Sequence, residues 1–206
     1  MKLTGASRVF GGEGMLVEIT NDDGKKEEYL LLSEDYELIL AEGAGNLSIE
    51  ALEAAGARYS ALRAARTLLS YSSNTLVALT RKLRAKGYSK EAAEFAVSRI
   101  ELEGSVDEPS DAKRAVELLL RRGWGPARII SHLKNRGFGK EAISAASGML
   151  AEIDFEPRLA AVIKKLYGDE GLPKEQAARR AAVARLRRLG YSMSDISRVD
   201  SRFEDY

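Results

Sequence analysis

A chain of 206 residues with 45% hydrophobic and 31% charged side chains can bury one sizeable core or several small ones, and is too apolar for a disordered tail. With no cysteine and a single histidine, a disulfide framework, thiolate catalysis and a Cys- or His-rich metal centre within one chain are excluded. The net charge of +1 divides unevenly: residues 1–58 carry 5 basic and 12 acidic side chains (−7), the remainder 27 and 19 (+8), which turns the C-terminal part toward an acidic partner, nucleic acid included.

The N-terminus lacks the apolar core of a signal peptide. The longest uncharged stretch, 67–80, is too short and too polar to span a bilayer, so a soluble cytoplasmic protein without membrane contact is expected. Residues 15–19 (MLVEI) and 28–32 (EYLLL) read as strands joined by a turn at Asp23-Gly24, a hairpin that must pack on something to be stable. Leu38 to Leu40, then 47–54 with Ser48 as N-cap, suggest a short helical link.

From about residue 58 one helical unit recurs three times. Leu83-Arg-Ala-Lys-Gly87-Tyr88, Leu133-Lys-Asn-Arg-Gly137-Phe138 and Leu186-Arg-Arg-Leu-Gly190-Tyr191 share a leucine, three mostly basic residues, a glycine and an aromatic, with the glycines 50 and 53 residues apart. Each copy reads as three helices. In the first, 61–69 is followed by a helix entered at Asn74 and carrying Leu76, Leu79 and Leu83 inward, then by a helix from Ser89 to Ile100. The second has an apolar stripe from Ala112 to Leu120, a restart at Gly125-Pro126, and a third helix through Leu150. The third runs from Leu159 to Leu166, through a basic helix over about 174–189, to a short polar cap, 192–199. The expected fold is mainly α: an N-terminal segment, 1–57, with a β-hairpin and a linker helix, then three-helix repeats over 58–105, 106–153 and 154–206 in an elongated, curved array.

No catalytic signature is found. Ser131-His-Leu-Lys134 has the spacing of a Ser-x-x-Lys nucleophile without its companion motifs, and Gly11-Gly-Glu-Gly14 is not a phosphate-binding loop. No enzyme activity, cofactor or metal is expected, and His132 reads as an ordinary helix residue. The positive signal is basic: Arg81, Lys82, Arg84 and Lys86; Arg128, Lys134 and Arg136; and Arg179, Arg180, Arg185, Arg187 and Arg188 recur on the middle helix of each copy. Arg121, Arg122 and Trp124 lie at the corner between two helices of the second copy. Such a set suits phosphates or an acidic protein groove and binds more weakly in salt; Trp124 reads equally as an interface anchor or a buried corner residue. Tyr88, Phe138 and Tyr191 read as packing anchors.

Residues 79–88, 121–130 (RRGWGPARII), 38–43 and 47–52 together resemble the RecX family, whose three tandem three-helix repeats follow a divergent N-terminal segment. The segment 104–109 departs from the family pattern, with its aromatic positions vacant. The resemblance implies a monomeric regulator that binds the RecA recombinase on its filament with single-stranded DNA. Modulation of recombinase, ATPase and co-protease activity in the inhibitory direction, within DNA repair and the SOS response, would follow. The basic faces and Trp124 would make contacts to RecA, or to single- or double-stranded DNA. A stand-alone helix-turn-helix-like DNA-binding regulator is the alternative.

Overall fold

The computed structural model describes residues 2–9, 12–41 and 48–200. Among them are three strands, β1 (Lys2–Arg8), β2 (Gly14–Thr20) and β3 (Lys26–Leu32), and ten helices. The chain divides into two compact units, Met1–Val106 and Asp107–Tyr206.

In the first unit the expected hairpin is present and extended. β2 and β3 pair antiparallel from Gly14↔Leu32 to Thr20↔Lys26, around a turn in which the Gly24 amide donates to the Asn21 carbonyl at 2.9 Å. The sheet has a third strand that the sequence reading missed. β1 pairs with β2 with an irregularity between Leu3 and Gly5, and its KLTGASR sequence has one large apolar side chain and no alternation to betray it. Met15, Val17, Ile19 and Leu31 face inward at every second position, as a half-buried sheet requires, and pack on Leu52 and Ala55.

Those two residues belong to α2 (Ile49–Tyr71), which follows α1 (Ser33–Ala41). The linker helix and the first helix of the first repeat were expected as separate elements; they form one 23-residue helix that runs through Gly56 and Ser60, with no proline to break it and with Leu52, Ala55, Tyr59 and Leu62 buried along its length. Ser48 caps it as expected, accepting from the Ala51 amide at 3.1 Å, whereas Leu47 and Gly43 lie outside the described residues. α3 (Leu76–Ala85) and α4 (Lys90–Leu102) complete the triad, with Leu62, Leu79, Leu83, Ala96 and Ile100 fully buried between them. The N-cap of α3 is Thr75 and not Asn74. Asn74 is buried and its amide donates back to the Leu68 and Ser72 carbonyls, closing the α2–α3 corner. Three ion pairs tie the N-terminal segment to this triad: Arg58 to buried Asp35 at 2.5 Å, Arg66 to Glu13 at 3.1 Å, and Arg99 to Glu34 at 3.1 Å.

The second unit holds two more triads: α5 (Glu108–Arg121), α6 (Pro126–Asn135) and α7 (Lys140–Ala151), then α8 (Glu156–Tyr167), α9 (Gln176–Arg188) and α10 (Met193–Val199). Three tandem three-helix repeats behind a strand-containing segment are thus the fold. Asp107 caps α5 and Pro109 sits in its first turn, so the atypical 104–109 joint is a conventional helix start. The two triads close on separate apolar clusters, one around Val116, Ile129, Leu133 and Ala146, the other around Leu159, Leu172, Leu186 and Ile196.

Between these clusters the backbones of α6 and α9 meet end to end. Gly125 donates to the Leu189 carbonyl at 2.7 Å, and the Ala127 amide to the Gly190 carbonyl at 3.3 Å. The free amides at the start of α6 and the free carbonyls at the end of α9 therefore satisfy each other. A Cβ on Gly125 would lie 2.5 Å from the Gly190 carbonyl carbon, and one on Gly190 2.5 Å from the Arg128 nitrogen. No other residue fits at either place.

Candidate interaction surface

Each middle helix buries a pair four residues apart: Leu79 and Leu83 on α3, Ile129 and Leu133 on α6, Ala182 and Leu186 on α9. With 3.6 residues per turn this pins one face inward and turns the residues off that face outward. One position is cationic in all three copies. It directly follows the buried leucine, and its occupants Arg84, Lys134 and Arg187 are all exposed.

The other sequence-selected cations divide by what they touch. Arg81, Lys86, Arg121, Arg122, Lys134, Arg180, Arg185, Arg187 and Arg188 are exposed. Their side chains make no ion pair or hydrogen bond among the described residues. Lys82 is half-buried and donates to the Asn74 side-chain oxygen, and Arg84 donates to the Tyr88 carbonyl at 2.7 Å, so both help to hold the α3 ends. Arg136 lies over the Phe138 ring. Arg179 stands apart: it pairs at 2.9 Å with Asp200, both side chains largely buried, and serves the α9–α10 packing.

Trp124 and Arg128 are brought together. The guanidinium carbon lies 3.9 Å from the centre of the indole, a stacked cation–π contact, and both residues are half-buried. His132, one turn beyond Arg128 on α6, meets the same indole edge-on at 5.3 Å between centroids. Partial burial and the positive charges of Arg136, Arg122 and Arg128, in that order, hold the imidazole below its ordinary range, so near neutrality it is an uncharged group among cations. The sequence reading missed this role, although the i, i+4 spacing of 128 and 132 next to a tryptophan was a signal for it. The three residues following the repeat glycines are packing groups: Tyr88 shares a hydrogen bond with Ser60, Phe138 is buried, and buried Tyr191 donates to the Gly123 carbonyl at 3.3 Å. Two cations outside the sequence-selected set, Arg158 and Lys165, are also exposed. Their i, i+7 spacing places them on one face of α8.

None of the described helices is long and apolar enough to cross a membrane. No family model matches the chain. Two solved structures share the fold. The first, of regulatory protein RecX, has a TM-score of 0.70 at 19% identity, over 96% of this chain and 98% of that one. The second, RecX from Lactobacillus salivarius, has a TM-score of 0.59 at 16% identity, over 72% and 97%. By sequence, regulatory protein RecX of Stenotrophomonas maltophilia (strain R551-3) is 33% identical over 121 residues, 59% of this chain and 73% of the relative. Its namesake in Xanthomonas campestris pv. campestris (strain B100) is 35% identical over 126 residues, 61% and 76%. Repeat, fold and sequence agree: the chain belongs to the RecX family of regulatory proteins.

Proposed function

We propose that this chain binds the RecA recombinase on its filament with single-stranded DNA and restrains its ATPase, strand-exchange and co-protease activities, with no chemistry of its own. The observation that carries this reading is the exposed cation after the buried leucine of every middle helix, Arg84, Lys134 and Arg187, on a chain of the RecX family. A cation repeated at one place in each module suits a partner that itself repeats, as a filament does, and charge at an exposed rim acts on association more than on residence. Trp124, with Arg128 stacked on it, adds a rigid amphipathic anchor of the kind that dominates interfaces.

The test is a titration of the protein into a single-stranded-DNA-dependent RecA ATPase assay. Inhibition is expected, and the Arg84→Glu/Lys134→Glu/Arg187→Glu variant should need at least about tenfold more protein for the same effect, the equivalent of one lost charge-assisted contact. No effect of the wild-type protein at stoichiometric excess would sink the proposal. Salt-sensitive, sequence-specific duplex binding with RecA absent would replace it with a stand-alone DNA-binding regulator.

A further inference from the structure

Between α5, α8 and α9, wholly within the second unit, lies a cleft of about 430 Å3. Five cations line it, Arg121, Arg122, Arg158, Lys165 and Arg185, and no carboxylate does. None of the five side chains takes part in an ion pair or hydrogen bond among the described residues, although other cations of this unit are paired, Arg198 with Glu156 and Lys164 with Asp169 among them. Like charges gathered round one concavity repel one another, and low-dielectric walls focus their field into it. The buried Tyr191 hydroxyl supplies no counter-charge: burial raises its pKa and it donates to the Gly123 carbonyl. The remainder of the wall is apolar, with Val162, Leu166 and Leu189 prominent.

We propose that this cleft binds a compact polyphosphate, the chemical class being a nucleoside di- or triphosphate whose phosphates meet the five cations and whose base lies on the apolar wall. Guanidinium groups suit phosphate because they offer paired donors in a planar fork, and the cleft is of the size that takes small ligands. A phosphodiester strand spreads single charges along its length, whereas a triphosphate concentrates several in one place. The cleft concentrates its cations in the same way.

Binding here requires no recombinase, so the protein alone is titrated by calorimetry with ATP, with inorganic tripolyphosphate and with a single-stranded oligonucleotide. Arg158 and Lys165 lie outside the middle-helix set, so their reversal separates loss of this site from loss of RecA binding. Saturable binding of ATP is expected, weakened at least about tenfold in Arg158→Glu/Lys165→Glu and unchanged in Lys134→Glu. If the double reversal alters the circular dichroism or melting of the chain, Arg158→Gln/Lys165→Gln serves in its place. ATP binding more tightly than tripolyphosphate would identify the nucleoside as part of the ligand; equal affinity would assign the site to the phosphate chain alone, still as a compact polyanion. Failure of both to bind, equal binding by the folded double variant, or an oligonucleotide bound through Arg158 and Lys165 in preference to both would overturn the proposal.

Discussion

Residues of the same type serve opposite ends in this chain, and neighbours on α9 show it best. Arg179 is paired with buried Asp200, while Arg180, the next residue, is exposed and makes no such contact among the described residues. Removing one partner of a buried pair leaves the other charge uncompensated, so Arg179→Ala should cost about 3 kcal/mol of stability. Arg180→Ala should cost less than about 0.5 kcal/mol. Denaturant unfolding of the two variants checks this, and equal losses would show that Arg179 is not structural. His132 gives a second residue-scale expectation. Its folded pKa lies below its ordinary value of 6.5, because burial and three arginines oppose the charged ring. The unfolded state therefore takes up the proton first, and stability falls as pH drops through the unfolded value, levelling off only below the folded one. Wild type should lose stability relative to His132→Gln over that window and match its slope above it. Parallel curves throughout would remove the imidazole from the account.

At the level of elements, the contact of Gly125 with Gly190 joins the ends of α6 and α9 through backbone alone. Alanine at either place drives a Cβ into backbone that cannot swing aside, and at Gly190 it adds the strain of φ +98°. Gly190→Ala should cost about 3 kcal/mol or more, lowering the melting temperature of a unit this size by about 12 °C or more. Gly148→Ala, in an exposed stretch of α7 with open space around it, should instead raise stability by about 0.5–1 kcal/mol. Thermal melts of the pair decide the matter, since similar shifts would mean the close approach carries no weight. The same contact shows what was legible in the sequence. The glycine–aromatic turns, the buried leucines and the Ser48 cap are local signals, and they read correctly, while Ser89 and Ser192, read as first helical residues, are the N-caps, one position before their helices. Gly125 was legible only as a turn beside Pro126, because the backbone it avoids lies 65 residues away in sequence. β1 was invisible because its partner β2 specifies it, and the Trp124–Arg128–His132 cluster was half-visible because spacing gives a face and not what the face meets. Sequence places the cations in one class, and tertiary pairing with Asp200 is what separates Arg179 from the exposed Arg180.

For the whole molecule the charge asymmetry belongs to the N-terminal segment and not to the division into units: residues 1–58 carry −7, but residues 59–106 of the same unit carry 8 basic and 4 acidic side chains (+4), so Met1–Val106 sums to −3 against +4 for Asp107–Tyr206. Each unit has apolar clusters of its own. A segment with its own hydrophobic core can in principle fold alone. Within 107–206 the two clusters are joined by the Gly125–Gly190 contact and by the Tyr191 hydroxyl on Gly123, so they should melt as one body and not as two. The segment 107–206, produced by itself, is therefore expected to give a helical circular dichroism spectrum and a single cooperative melt that calorimetry and dichroism report at the same temperature. Gly190→Ala in that segment should lower the transition, and splitting it in two would locate the coupling of the triads at this contact. An unfolded segment, or two transitions already in the unmodified sequence, would mean that residues 1–106 are needed to hold the second and third repeats together.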